Sequence, residues 1–240
     1  MRKIYLDQAS TSYPKAPSAA QAVYDYLNGS GVNVNRGGYQ AAYSVEEQIF
    51  ETREQLLHLF HFTSGKGKNV IFTPNITTSL NILLKGLLKP GDHVLVSAME
   101  HNAVMRPLVQ LSQNGITFDR IPCRSDGSLL IEKAEELLRP KTRLLVCLHA
   151  SNVCGTMMPL QEIGKFCQKH GLLFILDTAQ TAGVIPIDME ALHIDALAFT
   201  GHKALRGPQG TGGFLLRNEL VSCINPLISG GTGSISHTEE

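Results

Sequence analysis

The chain has 240 residues, 43% of them hydrophobic, and carries 21 basic against 21 acidic side chains. A chain of this length has room for one large domain or two small ones, and it buries enough apolar surface to fold without a metal or disulfide staple. Because the formal net charge is zero, the composition shows no basic surplus for nucleic acid and no acidic tail.

The cysteines and the start of the chain indicate a protein of a reducing, aqueous compartment. The cysteine count of 5 is odd and no pair has C-x-x-C spacing, so neither a disulfide framework nor a zinc site is predicted. Charged residues come too early for the apolar core of a signal peptide, and no apolar run approaches the ~20 residues of a membrane-spanning helix. We therefore expect a cytoplasmic protein with no nucleic acid, membrane or metal partner.

Two helices are predicted before residue 70. The first spans Pro14 to Leu27, with Pro17 in its first turn and its apolar residues on one face at helical spacing. A stretch rich in glycine and asparagine follows. Ser44 and the glutamate three residues later then have the spacing of a capping box, which predicts a second helix that begins there and runs through Phe60.

From residue 70 onwards, short β-branched runs alternate with helical stretches. The predicted strands are Val70–Phe72, His93–Ser97, Thr117–Ile121, Arg143–Leu148, Leu172–Leu176, Ala196–Thr200 and Gly213–Leu216. The helices between them are Thr78–Leu88, Met105–Gln113, Ile131–Leu138 and Leu160–His170. This alternation predicts an α/β fold with a mostly parallel sheet that helices cover on both faces.

Polar residues that directly follow the predicted strands are the candidates for a site, because ligands of open α/β sheets bind beyond the carboxyl ends of the strands. Thr77, His101, Asn152 and Asp177 all have this position. Each also has a structural alternative: a helix cap within the stretch Thr73–Thr78 or at Asp177, a satisfied loop residue at His101, and an Asx turn at Asn152.

Lys203 follows the strand Ala196–Thr200 and precedes a glycine-rich loop, unlike a solvated surface lysine. Burial lowers the pKa of such an amine and makes it available for a bond to a carbonyl carbon. A lysine amine, a buried acid and a phosphate-binding helix start are together the needs of pyridoxal phosphate (PLP). The glycine clusters fit neither a P-loop nor the G-x-G-x-x-G of dinucleotide binding.

Five motifs in this chain resemble, in their order, those of the cysteine desulfurases, PLP enzymes of the class V aminotransferase family with fold type I. The motifs are Tyr5-Leu6-Asp7-Gln8-Ala9-Ser10, Glu100-His101-Asn102, Ser151-Asn152-Val153-Cys154-Gly155, Asp177-Thr178-Ala179-Gln180 and Thr200-Gly201-His202-Lys203. The resemblance covers essentially all 240 residues. It implies an N-terminal arm over 1–15, a PLP-binding large domain over 16–225, and over 226–240 a glycine-rich loop or linker toward a C-terminal domain.

The resemblance also implies the roles of the site residues. Lys203 is the lysine that binds the cofactor covalently, Asp177 the acid at the pyridine nitrogen, and Gln180 the amide at the phenolic oxygen. His101 stacks on the ring and joins Lys203 as a catalytic residue suited to acid–base work, and Asn152 lies near the ring and the substrate carboxylate. The implied phosphate-binding residues are Ile76, Thr77, Thr200 and His202.

Two departures from the family pattern qualify this assignment. Ile76 stands where the family has Ala or Thr, so only its backbone amide can serve. The family chain also continues past the glycine-rich segment, with a persulfide-forming cysteine and a substrate-binding arginine that no residue here matches. Cys154 follows the strand end at Asn152 and is the only internal substitute that we consider for the missing cysteine, but its neighbours Val153 and Gly155 supply no charge that would favour the thiolate.

The expected function is therefore that of a cysteine desulfurase, of which this chain is the N-terminal portion. Such an enzyme converts L-cysteine to L-alanine and an enzyme persulfide, works as a homodimer and passes sulfur to an acceptor protein. Two alternatives remain at this point. One is another class V PLP enzyme, such as a selenocysteine lyase or an aminotransferase, and the other is a catalytically incomplete fragment that binds PLP or dimerises.

Overall fold

The computed structural model describes residues 4–34 and 38–230. Within these ranges no helix is long and apolar enough to cross a membrane. The part of the predicted glycine-rich loop from 231 to 240 lies outside the described residues, and the predicted domain boundaries remain predictions.

Seven strands and six α-helices alternate along most of the described part of the chain. The strands are β1 Val70–Thr73, β2 His93–Ser97, β3 Thr117–Ile121, β4 Thr142–Leu148, β5 Leu173–Asp177, β6 Ala196–Thr200 and β7 Gly212–Leu216. The helices are α1 Pro17–Asp25, α2 Gln40–Leu59, α3 Ile76–Leu87, α4 Asn102–Ser112, α5 Leu160–His170 and α6 Asn218–Val221. Two 3₁₀ segments, Gly67–Asn69 and Ile131–Leu137, and a π-helical turn, Tyr26–Ser30, complete the set.

The strands form one sheet in the order β1-β7-β6-β5-β4-β2-β3. Only β7 runs antiparallel to its neighbours, β1 and β6, so the predicted mostly parallel sheet is confirmed. One core packs α3, α4 and α6 against one face of the sheet, and a second core packs α2 and α5 against the other. Six strands therefore direct their carboxyl ends to the same edge.

The first helix is shorter than predicted and begins at Pro17 rather than Pro14. Ala16 precedes a proline and is therefore held in extended backbone, with φ −61° and ψ 128°. Its N–H donates to the carbonyl of Arg206 at 2.9 Å, which ties the preceding segment to the loop after β6. We call residues 4–16, which run in extended conformation and turns before α1, the arm.

The capping box predicted at Ser44 is wrong, because α2 begins four residues earlier at Gln40. The carbonyl of Tyr39 accepts the N–H groups of Ala42 and Tyr43 at 3.0 and 3.3 Å, and alanine is the strongest helix former. Ser44 therefore lies inside the helix. The segment predicted as a helix over Ile131–Leu138 is a 3₁₀ helix that ends at Leu137.

Two further helices, α3 and α4, begin earlier than predicted, and both begin near the carboxyl ends of the parallel strands. The side chain of Asn75 caps α3, which begins at Ile76 rather than Thr78. His101 caps α4, which begins at Asn102 rather than Met105. Each helix thus begins within a few residues of the strand before it, so its first N–H groups face the carboxyl ends of the strands.

Candidate active site

A cavity of about 130 Å³ opens at the carboxyl ends of β4, β5 and β6. The residues predicted for the site all line it: Ile76, Thr77, His101, Asn152, Asp177, Gln180, Thr200, His202 and Lys203. Four lining residues were not predicted: Asn75, Leu148, Ala150 and Ala179. Residues from Asn75 to Lys203, which are 128 positions apart in the sequence, thus line one cavity.

Asp177 is the last residue of β5, and its side chain is almost completely buried. Its Oδ1 accepts the N–H of Ala179 at 2.8 Å, and no helix begins there, so the alternative of a helix N-cap is wrong. Burial raises the pKa of this carboxyl, which the nearby charges of His101 and Lys203 oppose. The carboxylate has a single local N–H bond and is suited to a cationic partner in the cavity.

Lys203 lies in the turn after β6, partly buried above the same cavity. Burial lowers the pKa of its amine, and the charge of Asp177 opposes this shift. The turn is tight: the N–H of Gly201 donates to Thr211 at 2.8 Å, and the N–H of Gly207 donates to Gly201 at 2.8 Å. A Cβ at Gly201 would collide with the hydroxyl of Thr211, which explains the glycine before His202 and Lys203.

His101 is held by the helix that it caps. Its Nδ1 accepts the N–H of Ala103 at 3.1 Å, so in the neutral ring the proton lies on Nε2. The alternative of a histidine whose hydrogen bonds are all made within its own loop therefore holds for Nδ1 only. The ring also lines the cavity. Nε2 remains available to a bound group.

The start of α3 provides donors at one end of the cavity. Asn75 Oδ1 accepts the N–H of Thr78 at 2.9 Å, so the capping alternative for the stretch Thr73–Thr78 is correct, with Asn75 as the cap. The N–H groups of Ile76 and Thr77 stand at the first two positions of the helix and have no intrahelical partner. Such a helix start favours an anion, and the hydroxyl of Thr200 lines the same cavity.

The arm is bound to His202, the residue before Lys203. The carbonyl of His202 accepts the N–H of Ser12 at 3.0 Å, the hydroxyls of Thr11 and Ser12 at 2.9 and 3.1 Å, and the ammonium of Lys15 at 2.6 Å. Burial and the charges of Lys203 and Lys15 lower the pKa of the His202 imidazole. Sequence analysis missed Thr11 and Lys15, because no local pattern connects residues about 190 positions apart.

A second cavity of about 420 Å³ adjoins the first and shares Gln180 and Lys203 with it. Arm residues from Gln8 to Pro14 line it together with Arg206. Gln180 donates from Nε2 to the carbonyl of Ala9 at 3.1 Å, so it joins the arm to the floor of the site. Lys203 therefore lines both cavities.

The turn after β4 exposes Asn152 and Cys154. Ser151, rather than Asn152, makes the bonds of this turn, because its Oγ accepts the N–H groups of Val153 and Cys154 at 3.2 and 3.3 Å. The predicted Asx alternative for Asn152 is therefore wrong. Hydrogen bonds with Ser151 and Thr156 lower the pKa of the Cys154 thiol to about 7. The thiolate is therefore favoured by neighbouring hydroxyls, although no charged residue adjoins Cys154 in the sequence.

A parallel-sheet fold with a half-buried lysine above a buried acid at its carboxyl edge is found among PLP-binding proteins. Residues 4–239 match the model of the family "Aminotransferase class-V", and the chain belongs to this family. Class V aminotransferases are PLP-dependent proteins.

Relatives and solved structures refine this assignment. The chain is 31% identical over 233 residues to a probable cysteine desulfurase of Halalkalibacterium halodurans, covering 95% of this chain and 56% of the relative. It is similar, with a TM-score of 0.88 and 29% identity, to the apo cysteine desulfurase of Thermococcus onnurineus NA1, covering 95% and 57% of the two chains. A further neighbour, SspA in complex with cysteine, has a TM-score of 0.87 and 27% identity over 95% and 65%. The chain thus spans 56%, 57% and 65% of the lengths of these three proteins.

Proposed function

We propose that this chain is the PLP-binding large domain of a cysteine desulfurase, which converts L-cysteine to L-alanine and an enzyme persulfide. The observation that carries the proposal is that the half-buried amine of Lys203 and the buried carboxyl of Asp177 line the same cavity. The charge of each group shifts the pKa of the other. The relatives named cysteine desulfurase support the reaction, since the chain matches them over nearly its whole length.

The donors and acceptors of the cavity fit PLP. Its aldehyde needs an amine, for which we propose Lys203, and its pyridine nitrogen needs an acid, for which we propose Asp177. For the phosphate we propose the N–H groups of Ile76 and Thr77, with the hydroxyl of Thr200 and with His202. When bound, PLP supplies an electron sink for the loss of a proton from the α-carbon of an amino acid.

The proposed roles of the remaining residues follow from their hydrogen bonds. His101 would stack on the ring of the cofactor, and its Nε2 would exchange protons, because its Nδ1 already accepts the N–H of Ala103. Lys203, whose pKa burial lowers, would accept the proton from the α-carbon of the substrate. Gln180, which donates to the carbonyl of Ala9, would bind the phenolic oxygen of the cofactor, and Asn152 would bind the substrate carboxylate.

L-Cysteine is the proposed substrate, and it reaches Lys203 through the second cavity of about 420 Å³. The cysteine held by the neighbour SspA supports this choice. We propose that the whole protein acts as a homodimer, passes sulfur to an acceptor protein and works in the cytoplasm.

The test is to load the purified chain with PLP, add L-cysteine and a reductant, and measure alanine, sulfide and 3-mercaptopyruvate. We expect a visible absorbance band of bound PLP that shifts on addition of cysteine, with no formation of 3-mercaptopyruvate. We expect no multiple turnover from this chain, because no cysteine in it matches the persulfide-forming residue of the family. If alanine and sulfide are nevertheless released over many turnovers, Cys154→Ser tests the exposed thiol as the sulfur acceptor.

The alternatives give different results. Formation of 3-mercaptopyruvate would indicate an aminotransferase. Turnover of selenocysteine in a parallel assay, without any response to cysteine, would indicate a selenocysteine lyase. A chain that shows no absorbance band with PLP would contradict the proposal outright. Lys203→Ala is the control, since it removes the proposed attachment point of the cofactor.

A further inference from the structure

Glu100 joins the ends of two neighbouring strands. Its Oε1 accepts the hydroxyl of Ser97, the last residue of β2, at 2.5 Å, and the N–H of Leu148, the last residue of β4, at 2.9 Å. One carboxyl oxygen therefore holds the turn after β2 against the adjacent strand. Leu148 itself lines the cofactor cavity, so this contact lies directly behind the site.

The second carboxyl oxygen of Glu100 is unusual for a buried acid. Oε2 is buried and has no hydrogen-bond partner among the described residues. Burial raises the pKa of Glu100 to about 8, an effect that the nearby carboxylate of Asp177 increases and the bonds from Ser97 and Leu148 reduce. Burial therefore favours the neutral carboxylic acid form of this side chain at neutral pH.

The next residue along the chain is His101. Its imidazole is fixed on one side by Ala103 of α4, and its backbone is fixed on the other by the turn that Glu100 anchors. We propose that Glu100 is a positioning residue: its carboxyl holds the turn from Ser97 to His101 on β4 and so sets the imidazole toward the cofactor cavity. The part of this inference that concerns the cofactor rests on the proposed function.

A double-mutant cycle tests the inference, with Glu100→Ala and His101→Ala made singly and together. The measurements are the PLP dissociation constant, the visible circular dichroism of bound PLP, and the melting temperature. We expect Glu100→Ala to weaken PLP binding about tenfold and to reduce the dichroism, because contacting residues couple by this order. In the His101→Ala background it should change neither, although it still lowers the melting temperature.

Three variants make the result specific. Glu100→Gln keeps an acceptor oxygen and a neutral group, so it should preserve binding and dichroism. Ser97→Ala removes the bond that Ser97 donates to Glu100, together with the bond that its hydroxyl accepts from the N–H of Met99 at 3.3 Å. It should cause a smaller change of the same kind and replaces Glu100→Ala in the test if that variant does not fold. Asp195→Ala is the matched control: this half-buried acid accepts the N–H of Phe174 far from the carboxyl edge and should alter stability alone.

An equal loss of PLP affinity from Glu100→Ala in both backgrounds would overturn the inference, because the residue would then act without His101. Failure of the unaltered chain to bind PLP would refute the proposed function instead. The inference is then decided in the cofactor-free chain by the NMR signal of the His101 ring, assigned with His101→Ala. A signal that shifts in Glu100→Ala but not in Glu100→Gln supports it, and an unshifted signal contradicts it.

Discussion

At the scale of single residues, burial works against the two charges on which the site depends. Burial raises the pKa of Asp177 and lowers the pKa of Lys203, so it favours the neutral form of each group. The charge of each group opposes the pKa shift of the other. A cationic ring nitrogen beside Asp177 would relieve the cost of burying this carboxylate. The arrangement therefore favours a ligand that brings a positive charge to the cavity floor.

Asp177→Asn should fold normally and bind PLP more weakly. An amide cannot supply the negative charge, and a hydrogen bond to a charged group contributes about 1.5–3 kcal/mol, which corresponds to roughly tenfold to hundredfold in the dissociation constant. An absorbance titration with PLP measures this directly.

The control is Asp188→Asn, because Asp188 also accepts N–H groups of its own turn, those of Glu190 and Ala191, but does not line the cavity. Its PLP affinity should be unchanged. If Asp177→Asn also binds PLP as tightly as the unaltered chain, the carboxyl only caps its turn at Ala179.

The strand-end rule predicted Asp177 and Lys203 as site residues from the sequence, because an acid or amine after an apolar strand is visible in the one-dimensional pattern. It did not predict Glu100 or Lys15. Glu100 belongs to one of the family motifs but has no predicted role of its own, and its bond to Leu148 joins residues 48 positions apart. Lys15 acts through a carbonyl 187 positions away, a relation that neither spacing nor composition records.

At the scale of elements, the arm and the turn that carries Lys203 form one unit. Four donors of the arm converge on the carbonyl of His202, and Gln180 holds the arm at Ala9. Lys15 contributes three of the bonds in this unit, to Thr11, Ser12 and His202. Its ammonium is therefore central to the attachment of the arm.

Lys15→Met should release the arm from the turn after β6. The loss of a charge-assisted bond worth about 1.5–3 kcal/mol predicts amide hydrogen exchange roughly tenfold to hundredfold faster over residues 5–16. Hydrogen exchange with mass spectrometry measures it. Lys165→Met, at an exposed position of α5, is the control and should leave the arm unchanged. Unaltered exchange in Lys15→Met would show that the backbone bonds alone hold the arm.

Element type was easier to predict than element boundaries. The strand bounds agree with the structure to within a residue, because apolar β-branched runs end where the sheet ends. The predicted starts of α2, α3 and α4 were wrong because the residues that cap these helices are Tyr39, Asn75 and His101. The local sequence does not distinguish such a cap from an ordinary loop residue. For His101 this error matters, since the cap fixes its tautomer.

At the scale of the whole molecule, acid stability depends on a buried histidine beside the site. His149 is almost fully buried and bonds through Nδ1 to Thr181 at 2.9 Å. Burial lowers its pKa from 6.5 to about 4, so between these values the unfolded chain binds a proton that the folded chain does not. The stability therefore falls as the pH drops from 6.5 toward 4.

His149→Gln should remove this contribution. The unaltered chain should lose about 2–3 kcal/mol more unfolding free energy than the variant between pH 7 and pH 4. Denaturant unfolding at a series of pH values gives the comparison. His61→Gln, at an exposed histidine, should keep the slope of the unaltered chain. Parallel pH profiles for the unaltered chain and His149→Gln would mean that this imidazole is not the group that titrates.

The central claim for the whole chain is that Lys203 binds PLP covalently in the cavity at the carboxyl edge of the sheet. The most direct measurement is borohydride reduction of the PLP-loaded chain, followed by proteolysis and mass spectrometry of the labelled peptide. The account predicts one phosphopyridoxyl group on the peptide that contains Lys203, and its loss in Lys203→Ala. A label on another lysine, with Lys15 the nearest competitor, or undiminished labelling of Lys203→Ala would contradict the account.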